Sequence, residues 1–366
     1  MKKLTILLAI MLVASLTTKA TQITVCNDLN IPAQYSNLQT AADAASQGDT
    51  LLISGTATSY GYVTLNKGLT LIGAGAFFPT GSGKQTTKVL GIYLIQASTA
   101  ASASNSKIYG IEVANYIYFQ GGFSGSTFST GGIRGVLIEK CKITSGLILQ
   151  NAYGNATHEY DTIRNNIISG NISIDNSPYL KLPNFFIVNN IMDGARISGV
   201  SNTSYIDSLI IRNNVFINRT SSVFITTPHL VIENNIFYGS EPSVINTSSG
   251  VTFNNNICYG TTAIMPGTAN LGTGNINNTN PLFVNYPIQG GAFDCAYDFA
   301  LQTGSPAINA GTDGSDIGLT GGFSPYYNYC NGHRVPTMIW ITMPANANAA
   351  PLGGTLNVTF KAKKQD

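Results

Sequence analysis

From residue 138 to residue 258 the chain repeats one short pattern, an apolar run, a polar pair and a second apolar run. Ile163-Arg164-Asn165-Asn166-Ile167-Ile168 recurs as Ile187-Val188-Asn189-Asn190-Ile191-Met192 and as Ile211-Arg212-Asn213-Asn214-Val215-Phe216. Ile232-Glu233-Asn234-Asn235-Ile236-Phe237 and Phe253-Asn254-Asn255-Asn256-Ile257-Cys258 follow. The second asparagine of each copy is Asn166, Asn190, Asn214, Asn235 and Asn256 in turn, and Ile138-Glu139-Lys140-Cys141-Lys142-Ile143 is a degenerate copy one period earlier. Each copy reads as strand, two-Asn turn, strand, because β-branched and aromatic residues dominate and helical spacing is missing. A propeller blade needs a period of about 40 residues or more. The period here is shorter, and a unit of that size with two or three short strands matches one coil of a parallel β-helix.

Coils stacked at about 4.8 Å place like residues over like. The column Ile143, Ile168, Met192, Phe216, Phe237, Cys258 is then core. Asparagine tolerates the left-handed backbone of a tight bend. Its amide can also donate to one neighbouring coil and accept from the other. Asn166, Asn190, Asn214, Asn235 and Asn256 are therefore predicted to form a structural ladder. Beside it runs an outward column, Glu139, Arg164, Val188, Arg212, Glu233 and Asn254. Arg212 and Glu233 fall on adjacent coils, as a surface ion pair worth under about 1 kcal/mol or as part of a carbohydrate-contact row.

A stack of coils has open apolar ends that must be covered. Ser36 to Gln39 have the spacing of a capping box, Leu38, Ala41, Ala42 and Ala45 recur at helical spacing, and Gly48 ends the run. This predicts a short helix over the N-terminal opening, with Asp49 to Ile53 and Leu69 to Ile72 as first strands. About eight coils fit between Gly68 and Tyr259, a rod roughly 40 Å long. At the other end, Pro336 to Pro344 and Leu352 to Lys363 alternate like two strands of a small β appendage. The fold class expected is all-β, a right-handed parallel β-helix with a short N-terminal capping helix and a small C-terminal β appendage.

Lys2 and Lys3, the apolar run Leu4 to Leu16 and the small-residue site at Thr18-Lys19-Ala20 have the layout of a secretory signal. The expected division is residues 1–20 signal peptide, 21–323 β-helix with its cap and closing segment, and 324–366 appendage. The protein is thus expected to be exported, to carry no transmembrane segment after cleavage and to be a monomer. Charged residues are only 10% of the chain and the net charge is +2, without a basic cluster. That argues against nucleic acid as a partner. Of the five cysteines, Cys141 and Cys258 lie inside repeats and read as core, and Cys295 and Cys330 are placed so that they could pair.

Leu38-Gln39-Thr40-Ala41-Ala42-Asp43-Ala44-Ala45, Gly48-Asp49-Thr50-Leu51 and Leu69-Thr70-Leu71-Ile72-Gly73 resemble the entry of right-handed parallel β-helix proteins of the pectin-lyase-like type. Gly304-Ser305-Pro306-Ala307-Ile308-Asn309-Ala310-Gly311, followed by Asp316-Ile317-Gly318, is similar to the closing segment of many exported bacterial β-helix proteins. The resemblance spans roughly residues 23 to 323 and implies a fold; the family includes lyases, hydrolases, epimerases and adhesins.

Chemistry is harder to find. Lyase relatives carry a Lys before a Ser in a comparable coil, and the matching position here is Ser248. Hydrolases on this fold cluster carboxylates on one face, whereas Asp161, Asp175, Asp193 and Asp207 fall at different phases of the coil. The densest polar cluster, Tyr153, His158, Glu159, Tyr160 and Asp161, lies in the segment 151–161 and is expected to form a rim where aromatic faces and polar groups contact a sugar. Asp313 and Asp316 in a Gly-rich turn either close that turn or hold Ca2+; no other cofactor is expected. The reading is a non-catalytic surface or glycan-contacting protein whose partner is a polysaccharide or cell-surface glycan. The alternative is a polysaccharide-degrading or -modifying enzyme (lyase, hydrolase or epimerase) acting along the groove.

Overall fold

The computed structural model describes residues 20–78, 83–127, 129–151, 155–175, 179–199, 209–225, 230–243, 251–268, 270–287 and 291–326, and the backbone of 244–245, 337–342 and 359–363. The signal-like segment up to residue 19 lies outside them, and among the described residues no helix is long and apolar enough to cross a membrane.

Three parallel sheets wind around one core, as in a right-handed parallel β-helix. The first sheet has ten strands, from Gln22–Val25 to Thr252–Asn254. The second has eight, from Lys88–Val89 to Ile257–Tyr259, and the third has eight, from Tyr62–Leu65 to Val244–Ile245. One coil illustrates the path: Thr162–Arg164 in the first sheet, the Asn165-Asn166 corner, Ile167–Ile168 in the second, then Asn171–Ile174 in the third. Like pairs with like throughout, and Ile143, Ile168, Met192, Phe216, Phe237 and Cys258 are in register and fully buried. The rings of Phe216 and Phe237 stack at 4.8 Å. Cys26, Cys141 and Cys258 are free, buried thiols; Cys295 is disulfide-bonded, and Cys330 lies outside the described residues.

The two asparagines of each repeat have separate tasks. The first (Asn165, Asn189, Asn213, Asn234, Asn255) takes the bend, with φ between 50° and 56°. The second turns inward. The Nδ2 atoms of Asn166, Asn190, Asn214 and Asn235 each donate to the Oδ1 of the next ladder residue at 3.0 Å. Each Oδ1 also accepts the backbone N–H of the preceding coil, beginning with Cys141 N to Asn166 Oδ1 at 2.9 Å. The ladder ends one step beyond the repeat, where Asn256 donates to Asn275 at 3.0 Å.

The first asparagines point outward and clasp the C-terminal segment as a strap. Asn255 donates to Ala310 O, Asn234 accepts from Thr312 N, and Asn213 donates to the carbonyls of Asp316 and Gly318. Asn189 reaches Leu319 O and Gly321 O, and Asn165 reaches Ser324 Oγ. The strap thus runs back over the corner from the coil of Asn255 to that of Asn165. It covers the outer side of the second sheet, where Ile167, Ile191, Val215, Ile236 and Ile257 form a second apolar core with Phe283, Phe299, Ile317 and Leu319. Gly318 packs so closely that a Cβ there would come within 2.5 Å of Ile236 Cδ1. This explains the doubled apolar residues after each Asn pair: one faces the coil interior and the other faces the strap.

The N-terminal cap differs from expectation in one detail. Helix Leu38–Ala44 is capped by Asn37, not Ser36; the Asn37 side chain accepts Thr40 N at 2.9 Å from an extended backbone. Gln39 does not close a capping box. It clamps the helix to the third sheet, accepting Thr64 N at 2.7 Å and donating to Thr64 O at 3.1 Å. Strands Thr337–Thr342 and Thr359–Lys363 pair antiparallel.

Candidate functional site

The cluster at 151–161 is not assembled as one rim. Tyr153 lies outside the described residues. His158 is fully buried: Ile133 N donates to Nδ1 and Nε2 lies 3.2 Å from Gln150 O, so a neutral ring protonated at Nε2 satisfies both. Burial pushes its pKa down to about 4, with Arg134 acting in the same direction. Asp161 is also fully buried, accepting Val136 N at 2.7 Å through Oδ1. Its Oδ2 has no hydrogen-bond partner, and burial holds the carboxyl well above the usual carboxylate range. Glu159 is half-buried and pairs with Arg134 at 2.7 Å. Among the described residues of the cluster, Tyr160 is the exposed one, at 62%.

The physical reason is a second corner device. Just before strands of the first sheet, a side-chain oxygen takes a backbone N–H of the preceding coil: Asp49 from Thr21, Ser106 from Leu69 and Asp161 from Val136. Polar residues at this corner face inward because the coil needs acceptors there. The expected sugar contact by His158 and Asp161 is therefore corrected to a structural role.

Arg212 and Glu233 are adjacent, as expected, and joined by Arg212 Nε to Glu233 Oε1 at 2.6 Å; Arg164 and Glu139 pair in the same way at 2.9 Å. The column is less outward than its sequence suggests: Val188 and Glu233 are buried. The strap runs beside it, clasped by the neighbouring asparagines. On the strap, the Ser315 hydroxyl and, less strongly, the charge of Arg212 hold Asp313 below the usual carboxylate range. Asp161, Asp175 and Asp193 serve three different places: the corner before the first sheet, the end of a third-sheet strand beside Asn151 N, and the anchor of Phe293 N. Asp207 and Ser248 lie outside the described residues. Asp313 takes Ser315 Oγ and N, and Asp316 takes Asn309 N and Thr320 Oγ1, so both carboxylates serve the turn.

A different set of residues does converge. The outer face of the third sheet carries Tyr62, Tyr93, Tyr116 and Tyr118, above the buried Val63, Ile92, Ile117 and Phe119. Tyr93 and Tyr118 stack at 4.5 Å with planes 3° apart, and Tyr116 meets Tyr118 edge-on at 5.6 Å. Stacking occupies the facing sides of those two rings. Tyr62 ends the row, tilted by 48° to Tyr93, and is 48% exposed. Its ring lies across Gly91, where a Cβ would come within 2.9 Å of Cδ1, and its hydroxyl accepts Asn115 Nδ2 at 2.7 Å. Gln120 and Gln150 extend the face in register. Aromatic surface, hydroxyls and amides contact hydroxylated rings; they are poor proton-transfer groups near neutral pH. Sequence reasoning missed this face because these coils lack the Asn pair. The signal was the alternation in Gly91-Ile-Tyr-Leu and Tyr116-Ile-Tyr-Phe.

No family model matches the chain, and no curated protein matches it. Among solved structures it is similar to Escherichia coli ybhC, at 12% identity and a TM-score of 0.27, over 82% of this chain and 84% of that one. It is also similar to a pectin methylesterase from Aspergillus niger, at 13% identity and a TM-score of 0.25, over 77% of this chain and 95% of that one. Neither likeness assigns a role to any side chain here.

Proposed function

We propose that this chain is an exported, non-catalytic β-helix that contacts a polysaccharide or cell-surface glycan through the tyrosine face of its third sheet. The observation that carries this reading is Tyr62, a half-exposed ring laid across a glycine and pinned by Asn115 at the end of a tyrosine row. A rigid aromatic surface loses little conformational entropy on contact, and flanking amides and hydroxyls supply hydrogen bonds. The buried carboxyl and imidazole that could have served acid–base chemistry are turned into the coil corners instead.

The contact is expected in the micromolar to millimolar range, about −4 to −8 kcal/mol. Affinity electrophoresis against a panel of neutral and acidic polysaccharides tests it. Tyr62→Ala should weaken retardation about tenfold, whereas Tyr160→Ala should not change it. Equal retardation of the Tyr62 variant would remove the third sheet as the contact. Incubation with alginate, pectate or chondroitin should yield no ultraviolet-absorbing unsaturated uronate, with or without calcium. Absorbance growth on any of them would make the protein a lyase.

A further inference from the structure

The end of the strap helps to enclose a cavity of its own. Residues 293–300, which lead into and include most of the strand Asp298–Leu301, and strap residues 319–326 surround a space of about 380 Å³. Small-molecule pockets span about 300–1,000 Å³, so this one suits a small guest. Four rings line it: Phe293, Tyr297, Phe299 and Tyr326. Phe299 is buried and the other three are half-buried, so the lining is reached from solvent. The rings are held by packing rather than left loose. Phe293 and Phe299 lie 6.4 Å apart with planes at 13°, and Tyr286 braces Phe299 at 4.9 Å and Tyr297 at 5.2 Å. Tyr326 is held on the strap, where its N–H donates to Leu319 O at 2.7 Å.

The charge of the lining has one sign. Among the described lining residues Asp298 is the charged one, and no lysine, arginine or histidine stands with it. Asp298 Oδ1 accepts Ala300 N at 2.9 Å, and the carboxylate belongs to none of the ion pairs of the described residues. Thr320, also in the lining, spends its hydroxyl on Asp316 at 3.0 Å. A neutral apolar guest would leave the carboxylate without a counter-charge, and an anion would be repelled by it. A compact ammonium is strongly hydrated and gains little from apolar walls. A cation wrapped in methyl groups matches both parts of the lining, because the ring faces carry negative charge density and the carboxylate a full negative charge.

We infer that this cavity binds a quaternary ammonium group, its methyl groups against Phe293, Tyr297, Phe299 and Tyr326 and its charge beside Asp298. The site is separate from the tyrosine face of the third sheet and stands whether or not that face binds a glycan. Because Asp298 is half-exposed, its share of the attraction weakens as salt rises.

Amide chemical-shift titration of the whole chain with choline chloride tests it, with 3,3-dimethylbutan-1-ol, the uncharged carbon analogue of choline, and ammonium chloride as comparisons. Choline should move the amides within 293–300 and 319–326. The alcohol should bind about tenfold more weakly, and ammonium should leave those amides in place. Tyr326→Leu, which keeps apolar bulk and removes a ring, should weaken choline about tenfold, whereas Tyr326→Phe should keep most of the affinity. Asp298→Asn should weaken choline and flatten its salt dependence, and Tyr62→Ala should change nothing. Phosphocholine separates two sources of the group: binding as tight as choline assigns the site to an ammonium carried on a phosphate, and weaker binding assigns it to the free ion. No shifts from choline would overturn the site, and so would unchanged binding by both Tyr326→Leu and Asp298→Asn. The alcohol binding as tightly as choline would overturn the ammonium assignment and leave an apolar pocket.

Discussion

The second sheet is one backbone with two different outer faces. From Ile167 to Ile257 its outer column is apolar, buried and strapped; from Lys88 to Lys142 it is charged and open. Strand pairing and the inner column continue unchanged through both halves. The two halves therefore differ at a single outward position per coil, apolar under the strap and charged where the strap does not reach. The same division holds along the Asn corner, where outward asparagines clasp the strap from the coil of Asn255 back to that of Asn165 and Lys140 holds the equivalent left-handed bend on the coil before.

The largest break in this comparison comes from giving the covered half the residue of the open half. Val215→Lys buries an unpaired charge under the strap and should cost about 4 kcal/mol or release the strap. Thermal melts and limited proteolysis within 291–326 read both outcomes; an unchanged melt and cleavage pattern would mean that the strap does not cover that coil. Next come the two asparagine columns. Asn214→Leu strands the amide of Asn190 and two carbonyls and should cost about 3 kcal/mol. Asn213→Leu loses two strap bonds and strains a left-handed bend, for about 1–2 kcal/mol. Equal losses in chemical denaturation would erase the division of labour between the columns.

The buried corner sharpens the picture through pH. His158 ionises less readily in the folded chain than in the unfolded one, so its stabilising contribution is present above about pH 6.5 and is lost as pH falls toward 4. The loss approaches about 3 kcal/mol. Asp161 works in the opposite sense: its carboxyl is raised, so stability is lost as pH rises through its folded pKa. Asp161→Asn keeps an acceptor for Val136 N and removes the buried charge, so it should raise the melting temperature at pH 7 and do so less at pH 4. His158→Gln should flatten the decline between pH 6.5 and 4. Melts across that range that match the unmodified protein would show that neither group carries the pH dependence. The smallest effect is Lys142→Ile, which extends the apolar column into the open half. Thermal melts should show stability within about 0.5 kcal/mol of the unmodified protein.

Much of the architecture was legible in the repeat. The short period, the inner column and the paired asparagines all follow from stacking like on like. Asn275 was not legible as a ladder member because Gly274-Asn275-Ile276 has glycine where the repeat has its first asparagine. The candidate sites were less readable still. His158 and Asp161 look like a polar loop in sequence, yet inward-facing corners recruit polar side chains as backbone acceptors. Tyr62 and Gly91 belong to different coils and are meaningful only as register partners.

What the sequence by itself determined is the coil. Its period, its inner apolar column and its bend-tolerant asparagines are local properties repeated at near-constant spacing, and stacking has one way to satisfy them all. What only the tertiary structure decided is the fate of the outward positions. Ile167 and Lys142 occupy the same place on successive coils, and nothing within either repeat says that residues 310–324 return to cover one and stop short of the other. That choice rests on contacts between segments remote in the chain, such as Asn189 with Leu319, and no local pattern encodes a contact of that range.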